Sequence, residues 1–121
     1  MSQRVLLLGL EEETAAQLAR VVSADKFELI TIPGAAAAQY LDKLDSIRPS
    51  VICVPAGPAA TPLVHAIRSR LALARIVRVS NRPNQEEWSA AMQDGAYDYF
   101  GAPFLKGQVD WVLDGAAAGH G

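Results

Sequence analysis

Five short apolar runs alternate with five amphipathic stretches along the chain, and turn residues separate them at regular intervals. Arg4-Val-Leu-Leu-Leu-Gly9 is a near-continuous apolar run, the pattern of a strand covered on both faces. Glu12 to Ser23 then carries Leu18, Val21 and Val22 at helical spacing, with acids at its start, where the helix dipole favours them. Phe27 to Ile32 predicts a second strand, stopped by Pro33-Gly34. Ala35 to Ile47 predicts a helix with Ala37, Leu41 and Leu44 on one face. Val51-Ile-Cys-Val54 is a third, wholly apolar strand. The loop from Pro55 to Ala60 follows it, and Thr61-Pro62 reads as an N-cap with proline in the first turn. That helix directs Leu63, Ile67 and Leu71 inward.

The pattern continues with a fourth strand over Arg75 to Ser80 and a loop over Asn81 to Gln85. A short helix from Glu86 to Asp94 is closed by Gly95. Tyr97 to Phe100 is the fifth strand. Phe104 to Asp114 is the last helix, with Leu105, Val109, Val112 and Leu113 available to face a sheet. Strands and helices alternating at these lengths imply a parallel sheet with right-handed crossovers and helices on both faces. Residues 1–114 form the expected domain, and 115–121, rich in glycine and alanine, read as a flexible tail or the start of a linker. No internal repeat is present.

Composition narrows the classes. A length of 121 residues suits one domain with a core that needs no disulfide or metal staple. Eleven basic against 13 acidic residues give a net charge of −2 with no basic footprint, which argues against nucleic-acid binding. The single cysteine, Cys53, excludes an internal disulfide and fits a reducing compartment. No apolar run reaches the roughly 18 residues of a membrane span, and the N-terminal run is too short for a secretion signal. The expected location is the cytoplasm, with no membrane association.

Ligands of an open parallel sheet bind beyond the carboxyl ends of its strands. Those positions here are Gly9 to Glu11, Pro55 to Gly57, Ser80-Asn81 and Gly101 to Pro103. They contain no His, Cys or Lys, and one acid, Glu11. Neither G-x-G-x-x-G nor G-x-x-x-x-G-K-[ST] occurs, and Leu10-Glu-Glu-Glu13 would repel a phosphate. Glu11 to Glu13 read as a solvated helix start. His65 lies on a helix, His120 in the tail, and Cys53 in a strand as a small apolar group. No cofactor, metal or catalytic residue is expected.

Asp94-Gly-Ala-Tyr-Asp-Tyr-Phe-Gly-Ala-Pro-Phe104 is similar to the G-A-x-x-Y/F-x-x-K-P-F motif of response-regulator receiver domains, the CheY-like group. Ile76 to Ser80 resembles that family's fourth strand, which ends in Ser or Thr. Arg48-Pro-Ser-Val-Ile-Cys-Val54 resembles its third, P-D-x-x-x-x-D. The resemblance runs from Arg4 to about Asp114. It implies a flavodoxin-like, doubly wound sheet of order 2-1-3-4-5 with five flanking helices, and a cis peptide at Ala102-Pro103.

The departures define the expected function. Where receivers carry two metal-binding acids, this chain has Gly9 and Leu10. Pro55 stands at the phospho-acceptor Asp, and Ala102 at the conserved Lys. A slip in register would make Glu11 and Glu12 the acidic pair, but Pro55 to Thr61 would still lack a carboxylate. Phosphoryl transfer needs that nucleophile and the charge-neutralising groups. The chain thus resembles a degenerate receiver. The retained switch positions are Ser80 and Tyr99. They either preserve a conformational coupling or, as the missing phosphate favours, serve as a loop cap and a packed aromatic.

By the resemblance Trp88, Tyr99 and Trp111 fall on the face of the fourth helix, fifth strand and fifth helix. They would serve a protein partner or a homodimer there, unless the indole rings only cover core. Arg78 interrupts an apolar strand. It would need to snorkel to an edge or pair with Asp98 or an acid among Glu11 to Glu13. The expected function is a phosphorylation-independent interaction module of bacterial two-component-type signalling. The alternatives are the amino-terminal regulatory domain of a longer protein, such as a DNA-binding regulator or localisation ATPase, and a small ligand- or nucleotide-binding domain on the same fold.

Overall fold

A computed structural model of the chain describes residues 3–118. Its centre is a parallel sheet of β1 (Gln3–Leu8), β2 (Phe27–Ile32), β3 (Val51–Pro55), β4 (Ile76–Ser80) and β5 (Asp98–Gly101). The strands lie in the order β2-β1-β3-β4-β5, as the resemblance implied. Helices α1 (Glu12–Val21), α2 (Leu44–Ile47), α3 (Thr61–Arg70), α4 (Gln85–Gln93) and α5 (Lys106–Ala118) flank it. Strand alternation divides the core in two. Val5, Leu7, Cys53, Val77 and Val79 pack with Leu18 of α1 and Val109, Val112 and Leu113 of α5. Leu6, Leu8, Ile52, Val54 and Ile76 pack on the other face with Leu44, Val64 and Ile67. The central strands are therefore covered on both sides, which is why their sequences are apolar throughout.

Four local expectations need correction. The stretch read as one helix from Ala35 to Ile47 is a 3₁₀ helix over Gly34–Lys43 followed by the single turn of α2. Its alanines bury little surface to hold an α-helical register, whereas three residues per turn align Leu41 with the fully buried Leu44. Thr61 is not a cap. Pro58–Ala60 already forms a 3₁₀ turn that runs into α3, so no extended N-cap position remains. Leu105 is 60% exposed because α5 begins one residue later, and its buried stripe is Val109, Val112, Leu113 and Ala116.

The fourth correction concerns the expected tail. Gly115 to Ala118 continue α5, and Ala116 is fully buried in the α1–α5 side of the core. His120 and the rest of that segment, 119–121, lie outside the described residues. No described helix is long and apolar enough to cross a membrane.

Candidate functional site

Strand ends and the loops after them form a cleft of about 690 Å³ at the carboxyl edge of the sheet. Pro55, Ser80 and Ala102 line it together, with Glu11, Glu13 and Glu87 as its carboxylates and Arg82 as its cation. Gly9 and Leu10 do not join them. Gly9 has a φ of +83°, a backbone state that disfavours a side chain, and faces a neighbouring apolar groove. Leu10 is buried in the core beside α1. Glu11 precedes α1 and accepts a bond from Asn81 Nδ2 at 3.4 Å, while Thr14 donates to Asn81 Oδ1. No group of three His, Cys, Asp or Glu suited to a metal occurs among the described residues.

Arg78 lies beside this cleft and holds the loop after β3 that lines it. It lies on the same face of β4 as Ile76 and is only 1% exposed. Above it α4 presents small side chains, Ala90 and Ala91, which leave room for a guanidinium. Nε donates to the Pro55 carbonyl at 2.8 Å and Nη2 to the Gly57 carbonyl at 3.0 Å. Nη1 donates to Asp94 Oδ2 at 3.3 Å. The expected pairing with Asp98 or with Glu11 to Glu13 is thus corrected: the partner is Asp94. Asp98 Oδ1 instead accepts from the Tyr99 main-chain N–H at 2.8 Å. A signal for Asp94 was present in the sequence. An acid at the C-cap of α4 opposes the helix dipole and calls for a nearby cation.

Ser80 and Tyr99 lie close enough for the Ser80 side chain to act on the Tyr99 hydroxyl, and each also bonds elsewhere. Ser80 is buried, and its Oγ accepts the Arg82 N–H at 3.1 Å, closing the turn after β4. Tyr99 reaches α4. Asn84 caps that helix through its side chain, which accepts from the Glu87 N–H at 2.7 Å. In a standard capping box the N3 glutamate would return the bond to the cap residue's N–H. Here the Tyr99 hydroxyl is inserted between them. It accepts from the Asn84 N–H at 3.3 Å and donates to Glu87 Oε1 at 2.7 Å. Burial, together with the hydrogen bond to Glu87, raises the Tyr99 pKa above its ordinary value. Ala102 donates its N–H to the Ser80 carbonyl at 3.0 Å, and its bond to Pro103 is cis.

The edge of the molecule beside β5 is aromatic. Trp111 of α5 is 73% exposed and Trp88 of α4 is 46% exposed. Tyr99 is half-buried and engaged with α4 rather than free. Sequence reasoning missed a third exposed aromatic, Tyr97, which it read only as a strand residue. The tyrosine precedes β5, and its ring lies over Gly115 of α5. Cys53 is buried in the sheet, which pushes its thiol pKa up to about 12.

No protein-family model and no curated protein matches the chain. Solved structures do. A response regulator from Thermotoga maritima aligns with a TM-score of 0.81 at 16% identity, over 98% of this chain and 99% of that one. A CheY-like protein, tadZ, from Pseudomonas aeruginosa aligns with a TM-score of 0.76 at 16% identity, over 95% and 99%. NtrX from Brucella abortus aligns with a TM-score of 0.82 at 22% identity, over 98% of this chain and 26% of that one. The chain has the CheY-like, flavodoxin-like fold of response-regulator receiver domains.

Proposed function

We propose that the chain is a receiver-like protein-interaction module of two-component-type signalling whose output does not depend on phosphorylation, and that it is not an enzyme. The carrying observation is at the end of β3. The acceptor position implied by the resemblance holds Pro55, whose carbonyl is bound by the buried Arg78. A proline offers no nucleophile, and the cleft around it holds no lysine. The guanidinium also ties the Gly57 carbonyl and Asp94, so the β3–α3 loop, β4 and the end of α4 are held without a phosphoryl group.

Output in this reading runs through the surface of α4, β5 and α5, where Trp88 and Trp111 are exposed. Large exposed aromatics are enriched in binding hot spots. The net charge of −2 supports a protein partner rather than nucleic acid. Trp88→Ala and Trp111→Ala, assayed for self-association by light scattering and for capture of a partner, are expected to weaken at least one. If both variants associate and capture as the parent does, the surface is wrongly assigned.

A second reading, a regulatory domain within a longer protein, is favoured by the NtrX alignment, in which a domain of this fold is 26% of a larger chain. The parent reading frame tests it: a coding sequence continuing past Gly121 supports it, and a stop codon there removes it.

A further inference from the structure

The edge beside β5 carries a small built cleft apart from the strand-end site. It has a volume of about 330 Å³ and is lined by Tyr97, Asp98, Trp111, Val112, Asp114 and Gly115. Two aromatic residues and two aspartates thus border one opening. Trp111 and Gly115 are four apart on α5 and so lie on the same helix face. The Tyr97 ring is seated against that face because residue 115 has no side chain. A Cβ there would come within 2.9 Å of the tyrosine hydroxyl. Glycine is among the poorest residues for a helix interior, so its place here needs a packing reason, and the seat of Tyr97 supplies one.

Aromatic faces attract cations, and carboxylates at the same opening add charge and directed acceptors. Asp98 presents its carboxylate with Oδ1 held by the Tyr99 N–H. Asp114 shares Oδ2 with Lys26 at 3.4 Å, a pair with both side chains half exposed that a better-placed cation can displace. A planar guanidinium can stack on an indole or phenol ring while donating to carboxylates, which an ammonium does less well.

We propose that this cleft binds an arginine side chain of a partner protein. The inference rests on the proposed interaction face and names the chemistry that face selects. The partner is a different protein rather than a second copy. Exposed Glu86 and Asp114 and half-buried Asp98 meet only Lys106 as a cation on these elements, with Lys26 beside Asp114, and pairing the face with itself would oppose like charges.

The test uses N-acetyl-arginine-N-methylamide as probe and the citrulline analogue as its neutral match, with the chain observed by ¹H–¹⁵N NMR. The arginine probe is expected to shift the Trp111 indole and the Tyr97, Asp98 and Gly115 amides, binding about tenfold more tightly than citrulline. Asp98→Asn keeps the acceptor for Tyr99 and should weaken binding. Gly115→Ala is expected to stay folded, since it favours the helix and displaces only the end of the Tyr97 ring, yet lose the response. An equal response to citrulline, or an unchanged response in Gly115→Ala, overturns the proposal. So does a dimer of the parent that the arginine probe dissociates. Because the probe needs no partner, its failure leaves the tryptophan association test standing and separates the cleft from the wider face.

Discussion

The Arg78 guanidinium and the Pro55 carbonyl are joined at 2.8 Å inside the sheet's edge, so a buried cation fixes the loop that follows β3. In a strand whose other residues are Ile76, Val77, Val79 and Ser80, that charge is tolerated because its three nitrogens all find acceptors. Two are main-chain carbonyls, those of Pro55 and Gly57, and the second also accepts the Ala60 N–H at 3.1 Å.

Arg78→Met keeps the volume and removes all three bonds. We expect a loss of about 3 kcal/mol, the lower end for breaking a buried ion pair from one side, because Asp94 can be rehydrated. The Asp94 side chain is 31% exposed, which sets that discount. Urea denaturation followed by circular dichroism measures it. Arg78→Lys should recover only part, since an ammonium cannot fork to two carbonyls and a carboxylate. A loss below about 1 kcal/mol would show that the guanidinium is not what holds the loop.

Tyr99→Phe removes the hydroxyl that bridges Asn84 and Glu87 while keeping the ring. The expected cost is about 1 kcal/mol, with the amide signals of α4's first turn exchanging faster. The pH dependence has a definite sign. The Tyr99 pKa is raised above 10.0, so its contribution is complete below that value and is lost as pH rises through the folded-state pKa. The parent and Tyr99→Phe curves should converge in that alkaline range, and parallel curves would contradict the bridge.

Asp110 links α5 to the end of α1. Burial alone would raise its pKa, but bonds from Ser23 Oγ at 2.6 Å and the Ser23 N–H at 3.2 Å, with Lys106 beside it, lower it overall. A depressed carboxylate stabilises the fold above its unfolded value of 3.8 and loses that effect as pH falls through the folded-state pKa. Asp110→Asn should therefore cost about 1–2 kcal/mol at pH 7 and progressively less in acid. Thermal melts between neutral pH and pH 3 would read this difference.

Cys53 should be inert toward a thiol reagent at pH 8 in the folded protein and react fully in urea. Its thiol pKa of about 12 and its burial leave neither thiolate nor access. Rapid labelling of the native chain would place the strand wrongly.

The strands were legible because burial on both faces writes itself as unbroken apolar runs, as in Val51 to Val54. The turn motif from Gly95 to Phe104 was legible for a different reason. Gly95 has a φ of +86°, and Pro103 sits at a cis bond, so residue type follows from backbone shape. The connection after β2 was not legible, since an alanine-rich stretch carries little to separate 3₁₀ from α spacing. Arg78 stood out at once, yet its partner did not, because carbonyl acceptors such as Pro55 and Gly57 leave no mark in side-chain identity. The seat of Tyr97 on Gly115 was hidden in a segment read as tail.

The central claim is independence from phosphorylation, and light scattering of the chain with and without beryllofluoride and magnesium tests it most directly. On the proposed assignment of Pro55 to the acceptor position, the account predicts the same molar mass and the same melting temperature in both conditions. A change in mass, or a dose-dependent rise in melting temperature, would mean that the cleft binds a phosphoryl mimic and would contradict it.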